Sequence, residues 1–91
     1  SLFVAVANDG VVATQVMTSA NGIDWASRTS ASARSWGSVC WSPTLGLFVA
    51  VAYNGTVATQ VMTSANGIDW ASQTSAEANE WRSVCWTSHL I

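Results

Sequence analysis

Apolar residues along the chain fall in short runs separated by small polar residues and glycine. The run Leu47–Ala52 (LFVAVA) is continuous, which is typical of a strand covered on both faces. Trp36–Ser42 (WGSVCWS) alternates, with Trp, Ser and Cys predicted on one side and Gly, Val and Trp on the other. Thr59–Ser64 and Ile68–Thr74 complete a set of four strands. Because helical periodicity is missing, the pattern predicts an all-β fold.

This pattern recurs with a period of 45 residues. Positions 2–46 align without a gap to positions 47–91, and 33 of the 45 pairs are identical. Repeats of this length with four short strands are typical of β-propeller blades. Asn54-Gly55 and Asn66-Gly67 supply turns, since this dipeptide suits tight loops. We therefore predict that residues 1–91 form one two-blade propeller segment.

The repeats start at the second strand of a blade. Leu2–Ala7 corresponds to the second strand Leu47–Ala52, and Trp81–Thr87 corresponds to the first strand Trp36–Ser42. The first blade therefore lacks its first strand, and Trp81–Thr87 is a first strand without the other three strands of its blade. Because unpaired strand edges invite pairing, we expect Trp81–Thr87 to complete the first blade of a neighbouring copy. Repetition of this head-to-tail strand exchange closes a ring.

Two blades in each chain make the total number of blades even. A homotrimer would hold six blades and a homotetramer eight, both within the roughly four-to-eight-blade range of propellers. We favour the trimer because six lies centrally in that range.

A ten-residue phrase, VMTSANGIDW, occurs at Val16–Trp25 and again at Val61–Trp70. Its part TSANGIDW resembles the Asp-box (BNR-type) hairpin of sialidase-like propellers, whose pattern is Ser-x-Asp-x-Gly-x-x-Trp. The turn is one residue shorter, and Asn21 and Asn66 stand where the family has Asp. The resemblance implies a propeller in which this phrase joins the third and fourth strands, with its polar side chain securing the turn and its Trp packing between sheets. It does not imply an enzyme.

Composition narrows the possible functions. Charged residues make up 9 % of the chain, against about 25 % in an average soluble domain. Three arginines, no lysine and a net charge of −2 argue against nucleic-acid binding, which needs clustered cations. No apolar run approaches about 18 residues, so we expect no membrane insertion, and no signal-peptide pattern opens the chain.

The same composition argues against catalysis and against metal binding. A sialidase-like hydrolase needs an Arg cluster, a Tyr nucleophile and acidic partners, and this chain has three Arg, one Tyr and one His. One Asn and one Asp in each turn fall short of the roughly six to eight oxygen ligands that calcium prefers. We therefore expect no catalytic residues, no metal and no cofactor.

The two cysteines occupy equivalent positions, Cys40 and Cys85, in the context SVCW. Equivalent positions of stacked repeats rarely approach within the roughly 7 Å between Cα atoms that a disulfide requires. We therefore predict two free, buried, apolar side chains.

The twelve positions at which the repeats differ fall in groups. Most lie in two segments, the loop between the second and third strands and the connection from the fourth strand to the next blade, which share one face of a propeller. That face holds six of the eight charged residues, namely Asp9, Arg28, Arg34, Glu77, Glu80 and Arg82. Because loops carry binding while a scaffold holds them, this face is the candidate binding surface. The alternative is drift at exposed positions, together with ion pairs across the ring.

The candidate ligand-binding residues on this face are Trp36, Trp81, Tyr53, Asn8, Asn54 and Arg28. The two Trp rings would stack on the apolar face of a sugar, and the others would donate and accept hydrogen bonds. Alternatively, both Trp side chains pack between blades.

We accordingly predict a lectin-like oligomer that binds a neutral glycan at repeated shallow sites, where multivalency strengthens weak binding. Its plan resembles that of trimeric fucose-binding lectins, which build six-bladed rings from two-blade chains, although the local motifs differ. Such a lectin would be extracellular or surface-associated. The alternative is a structural, self-assembling propeller module, engineered or excised from a longer repeat protein, without a ligand of its own.

Overall fold

The computed structural model describes residues 2–87, which form two antiparallel sheets. The first sheet has three strands in the order β1 (Phe3–Val6), β2 (Val16–Ser19) and β3 (Ala26–Arg28). The second sheet has four strands in the order β4 (Trp36–Ser42), β5 (Leu47–Ala52), β6 (Val61–Ser64) and β7 (Ala71–Gln73). A short 3₁₀ turn spans Val12–Thr14, and these residues contain no α-helix. The predicted all-β class is confirmed.

The strands agree with the sequence pattern except at the end of the chain. The bounds predicted for β4 and β5 match, whereas β1, β6 and β7 are shorter than predicted because their end residues lie in loops. The first sheet lacks a counterpart of β4, as the phase of the repeat predicts. Trp81–Thr87 forms no strand within the chain, so its pairing with a second copy stays a prediction. Residues 1 and 88–91 of the predicted segment lie outside the described part.

A β-bulge at Gly37 changes which side chains of β4 share a face. Trp36 and Val39 stand opposite Ala52 and Ala50 of β5, so the register shifts by one residue between them. Since cross-strand partners and alternate residues of a strand share a face, Trp36 and Val39 lie on the same face. The strict alternation predicted from sequence, which placed these two side chains on opposite sides, is wrong.

The core lies between the two sheets. Its buried members are Val16, Trp36, Ala50, Ala52 and Met62, surrounded by the partly buried Val4, Val6, Ala31, Val39 and Trp70. The first sheet contributes valines, and the second contributes the large Trp and Met side chains. Full burial of one such side chain stabilises the fold by about 1.5–3 kcal/mol. One face of the second sheet is thus covered by the first.

The repeated phrase forms the same turn in both copies. In the second copy, Asn66 Oδ1 accepts the N–H groups of Ile68 and Asp69, each at 2.9 Å. Gly67 has a φ of 79°, a conformation that glycine adopts readily, and its carbonyl accepts Trp70 Nε1–H at 3.1 Å. The same bonds recur 45 positions earlier. The asparagine thus secures the turn and the tryptophan packs over it, as the sequence predicts.

Candidate functional site

Two equivalent loops, 8–15 and 53–60, have the same conformation. In each, the threonine that precedes the glutamine donates its N–H to the carbonyl three residues earlier, at 2.9 Å and 3.0 Å respectively. Gly10 and Gly55 have positive φ angles of 92° and 102°. The residues that differ between these loops therefore occupy equivalent places on the same backbone frame.

A buried glutamine joins each loop to the connection after the last strand of its sheet. Gln15 Nε2 donates to the carbonyls of Asp9 at 3.2 Å and Arg34 at 2.7 Å, and its Oε1 accepts the Arg34 N–H at 3.1 Å. Gln60 binds both backbone groups of Asn79 in the same way, at 2.6 Å and 3.3 Å. Neither glutamine is among the site residues predicted from sequence. The available signal is an amide side chain kept in both repeats directly before an apolar strand.

The connection between the sheets contacts loop 53–60. Ser35 N–H donates to Asn54 Oδ1 at 2.7 Å, and Arg34 Nε donates to Thr59 Oγ1 at 3.0 Å. A Cβ atom added to Gly55 would lie 2.6 Å from Arg34 Nε, so the arginine covers this glycine directly. We call these five residues the internal junction.

The predicted site residue Tyr53 contacts a charged pair. The Arg82 guanidinium carbon lies 3.8 Å from the centroid of the Tyr53 ring, which is a cation–π contact. Arg82 Nη2 is also 3.0 Å from Glu80 Oε1, and both charged side chains are mostly exposed. The first repeat has different residues at all three positions, namely Asn8, Gly37 and Ser35.

The two tryptophans of the predicted site differ in burial. Trp36 is 2 % exposed, and its Nε1 donates to the Ser32 carbonyl at 3.2 Å. Its ring lies in the core between the sheets, which is the alternative role considered from sequence, and offers no open face for a sugar. Trp81 makes the equivalent bond to the Glu77 carbonyl at 3.0 Å but is only half-buried.

The remaining predicted site residues lie in different surroundings. Arg28 is half-buried on the first sheet, where its Nε donates to Thr18 Oγ1 at 3.0 Å. Asn8 is exposed at the start of its loop. Asn54 is exposed too, with its Oδ1 engaged in the internal junction. The contacts thus link Tyr53 to Arg82 and Asn54 to the connection between sheets, whereas Arg28 belongs to another contact set.

Both cysteines are free. Cys85 is exposed and Cys40 only half-buried, so the buried placement predicted for both is wrong for Cys85. Burial raises the pKa of the Cys40 thiol above its ordinary value, and the neighbouring Cys85 charge raises it further. Cys40 therefore stays a neutral thiol near pH 7.

An apolar crevice separates the sheets on the side of the asparagine turns. It contains a cavity of about 520 Å³ lined by Leu2, Trp41, Phe48, Ala65 and Asn66. The ring centroids of Trp41 and Phe48 are 4.6 Å apart, yet Trp41 remains 43 % exposed. A smaller cavity, of about 190 Å³, continues along Leu2, Phe3 and Val4. The crevice therefore reaches the edge strand β1.

The first sheet has one covered and one uncovered face. Met17 is 42 % exposed, although the equivalent Met62 is 0 % exposed, and Phe3 is 57 % exposed, although Phe48 is only partly so. The first sheet covers Met62, whereas no other part of residues 2–87 covers Met17 in the same way. We call Phe3, Met17 and Trp25 the open face. The Phe3 and Trp25 ring centroids are 6.3 Å apart.

Neither a metal site nor a membrane helix is found in the described part of the chain. Residues 2–87 bring together no three His, Cys, Asp or Glu side chains that could hold a metal ion. None of their helical segments has the length and apolarity to cross a membrane. No protein-family model matches the chain, and no curated protein or solved structure shows significant similarity to it.

Proposed function

We propose that the chain is a self-assembling β-propeller module, in which each sheet is a blade and further copies close the ring. The observation that carries this proposal is the unequal burial of two identical side chains, Met17 and Met62, at 42 % and 0 % exposure. Within one chain, the first sheet covers Met62. In the assembly, the second sheet of a neighbouring copy covers Met17 in the same manner.

The far face of the second sheet fits this role. Val4 and Val16 of the first sheet pack against the core, and their counterparts are Val49 and Val61. Val16 is 1 % exposed, whereas Val61 is only half-buried. Stacking this far face on the open face of the next copy removes apolar surface from water at about 25 cal/mol per Å². Hydrophobic burial therefore favours head-to-tail association.

The open edge of β1 supports strand exchange. Trp81–Thr87 matches β4 at five of seven positions, and β1 repeats the sequence of β5. If the exchanged strand keeps the register of β4 against β5, Cys85 lies opposite Val4 of the next copy and Trp86 lies opposite its Phe3. The incoming strand would pair with the free edge of β1 and complete a four-stranded sheet, which removes an exposed edge.

This strand also explains the aromatic pairs. Trp41 lies against Phe48 within the second sheet, with ring centroids 4.6 Å apart. Trp86 of one copy would take the same position against the exposed Phe3 of the next. Two blades in each chain favour six blades as a homotrimer, with eight as a homotetramer as the alternative. The resemblance of the asparagine turns to the Asp-box supports the propeller plan.

Light scattering coupled to size-exclusion chromatography tests the assembly. We expect the mass of three chains at micromolar concentrations, and the mass of four would keep the assembly but change the ring size. Cys85→Pro removes the backbone N–H that would pair with Val4 of the next copy, so this variant should be mainly monomeric with intact sheets. A wild-type chain that stays monomeric contradicts the proposal.

A second candidate function is binding of a neutral glycan on the loops of the assembled ring. It is favoured by Tyr53, which is half-buried and thus keeps part of its ring accessible. Arg82 lies over Tyr53 and adds a charged donor beside this ring, whereas Trp81 would take the buried position of Trp36 in the exchanged strand. Asn8 and Asn54 would supply hydrogen bonds, whereas the buried Trp36 and Arg28, which belongs to another contact set, are left out.

A glycan array and monosaccharide titrations test this second function. The assembled chain should bind weakly to free sugar and more strongly to a multivalent surface. Tyr53→Ala should reduce the binding, while Leu45→Ala, in the exposed turn between β4 and β5 at the opposite end of the sheet, serves as the control. Blank results in both assays contradict glycan binding without affecting the assembly.

A further inference from the structure

The repeat duplicates both halves of the internal junction. One half is the connection at Ser35, and the other is Asn54 in loop 53–60. Their counterparts, one repeat away, are Glu80 and Asp9. In the internal junction, the Ser35 N–H donates to Asn54 Oδ1 at 2.7 Å. Within residues 2–87, the Glu80 N–H and the Asp9 carboxylate have no hydrogen-bond partner.

Both counterparts already have the geometry of the junction. Gln60 Nε2 donates to the Asn79 carbonyl at 2.6 Å and thus holds the connection next to Glu80, as Gln15 holds Arg34 at 2.7 Å. Loops 8–15 and 53–60 share their turn and their positive-φ glycine, as described above. Because neither half needs to be ordered on docking, little conformational entropy opposes the contact.

We infer that the backbone N–H of Glu80 in one copy donates a hydrogen bond to the Asp9 carboxylate of the next copy. This inference rests on the head-to-tail assembly proposed above and names its polar contact. The acceptor in this bond between copies is the carboxylate of Asp9, where the internal junction has the amide oxygen of Asn54. The bond between copies is therefore charge-assisted and stronger. Asp9 is therefore an interface residue of the ring.

The other differences between the two repeats fit a second junction with different chemistry. Arg34 reaches Thr59 across the internal junction at 3.0 Å, but its counterpart Asn79 has a shorter side chain. In exchange, the second junction gains Arg82, which lies 3.0 Å from the Glu80 carboxylate. This arginine offsets the negative charges that Asp9 and Glu80 bring together. The two junctions of the ring thus share a backbone frame and differ in charge.

Three variants test the contact, with the monomer–oligomer equilibrium measured by sedimentation. Asp9→Ala removes the acceptor and should lower the association constant about tenfold for each junction. Asp9→Asn keeps an oxygen acceptor, as Asn54 does, and should retain most of the assembly. Asn54→Ala is the matched control: it removes the equivalent bond inside the chain and should lower thermal stability while leaving the association constant of folded chains nearly unchanged.

A local signal separates this contact from a general loss of affinity. The Glu80 amide proton should move downfield on assembly of the wild type, and it should not do so in Asp9→Ala at concentrations that restore the oligomer. If Asp9→Ala assembles like the wild type and its Glu80 amide moves equally, the inference is overturned and the assembly stands. If the wild-type chain is monomeric throughout, the proposed function fails, and the junction fails with it.

Discussion

Arg82 lies over the ring of Tyr53, with its guanidinium carbon 3.8 Å from the ring centroid. Arg82 belongs to segment 81–87, which has no strand partner within the chain, whereas Tyr53 directly follows β5. The contact therefore holds the beginning of this segment against the second sheet. The equivalent positions of the first repeat carry Asn8 and Gly37, so the contact is particular to the second copy.

A double-mutant cycle measures this contact. Tyr53→Leu and Arg82→Gln should show a coupling of about 0.5–1 kcal/mol in the free energy of unfolding, the usual value for an exposed cation–π pair. Tyr53→Phe keeps the ring and should keep the coupling. Glu80→Gln should change stability by less than about 0.5 kcal/mol, because exposed ion pairs contribute little. Independent effects of the two substitutions in urea unfolding contradict the assignment.

Gly55 is constrained both by its backbone and by its neighbours. It has a φ of 102°, and an added Cβ would lie 2.6 Å from Arg34 Nε and from Thr59 Oγ1. Gly46 also has a positive φ, of 63°, but has no atom within 4 Å of an added Cβ. Gly55→Ala should therefore destabilise the chain by about 1–3 kcal/mol, more than Gly46→Ala. Equal melting temperatures of the two variants would show that the arginine moves away freely.

The strands could be predicted from the sequence because the apolar run and the turn residues that define each strand are local in the chain. The run Leu47–Ala52 is apolar throughout and bounded by turn residues, and its strand has the predicted bounds. The bulge at Gly37 depends on the register between two strands, which the pattern of one strand does not contain. The burial of Trp36 likewise depends on which sheet covers it. The sequence therefore left Trp36 open between a ligand-binding position and packing between blades, and the structure places it in the core.

The contact between Asn66 and Asp69 gives a reason for the asparagine at this turn. Asn66 Nδ2 donates to Asp69 Oδ2 at 2.9 Å, so Asn66→Asp would set two carboxylates side by side. Their repulsion should lower the unfolding free energy by about 1 kcal/mol at pH 7. One carboxyl would then bind its proton more tightly in the folded than in the unfolded chain. The loss should therefore appear as the pH rises through the carboxyl range and vanish in acid.

The double variant Asn66→Asp with Asp69→Asn serves as the control for this effect. It restores a single carboxylate and an amide donor, so its stability should return towards that of the wild type at pH 7. Thermal unfolding followed by circular dichroism from pH 3 to pH 8 measures both variants. A deficit of Asn66→Asp that is the same at all pH values would indicate lost turn geometry instead of charge repulsion.

The two cysteines should differ in reactivity. The thiolate is the reactive form, and burial together with the neighbouring Cys85 charge raises the pKa of Cys40. At neutral pH and at dilutions where the chain is monomeric, iodoacetamide should therefore alkylate Cys85 faster. The difference should narrow as the pH rises, because Cys40 ionises at a higher pH than an ordinary thiol.

Tryptic cleavage after Arg82 separates the two cysteines, so mass spectrometry gives both alkylation rates from one sample. The unfolded chain is the control, in which both thiols should react at similar rates. Faster alkylation of Cys40 in the folded chain would contradict the burial described for it.

The two methionines of the repeated phrase are a matched pair of positions that tests the proposed assembly. Met62 is 0 % exposed and Met17 is 42 % exposed. Met62→Ala should lower the unfolding free energy of the monomer by about 2–5 kcal/mol, whereas Met17→Ala should cost less than about 1 kcal/mol. In the assembly, Met17 takes the place that Met62 has in the chain, so Met17→Ala should instead weaken association. Urea unfolding at low and high protein concentration separates the two effects, because association stabilises the folded chain by mass action. If Met17→Ala has the same small effect at both concentrations, the open face is not the surface on which copies meet.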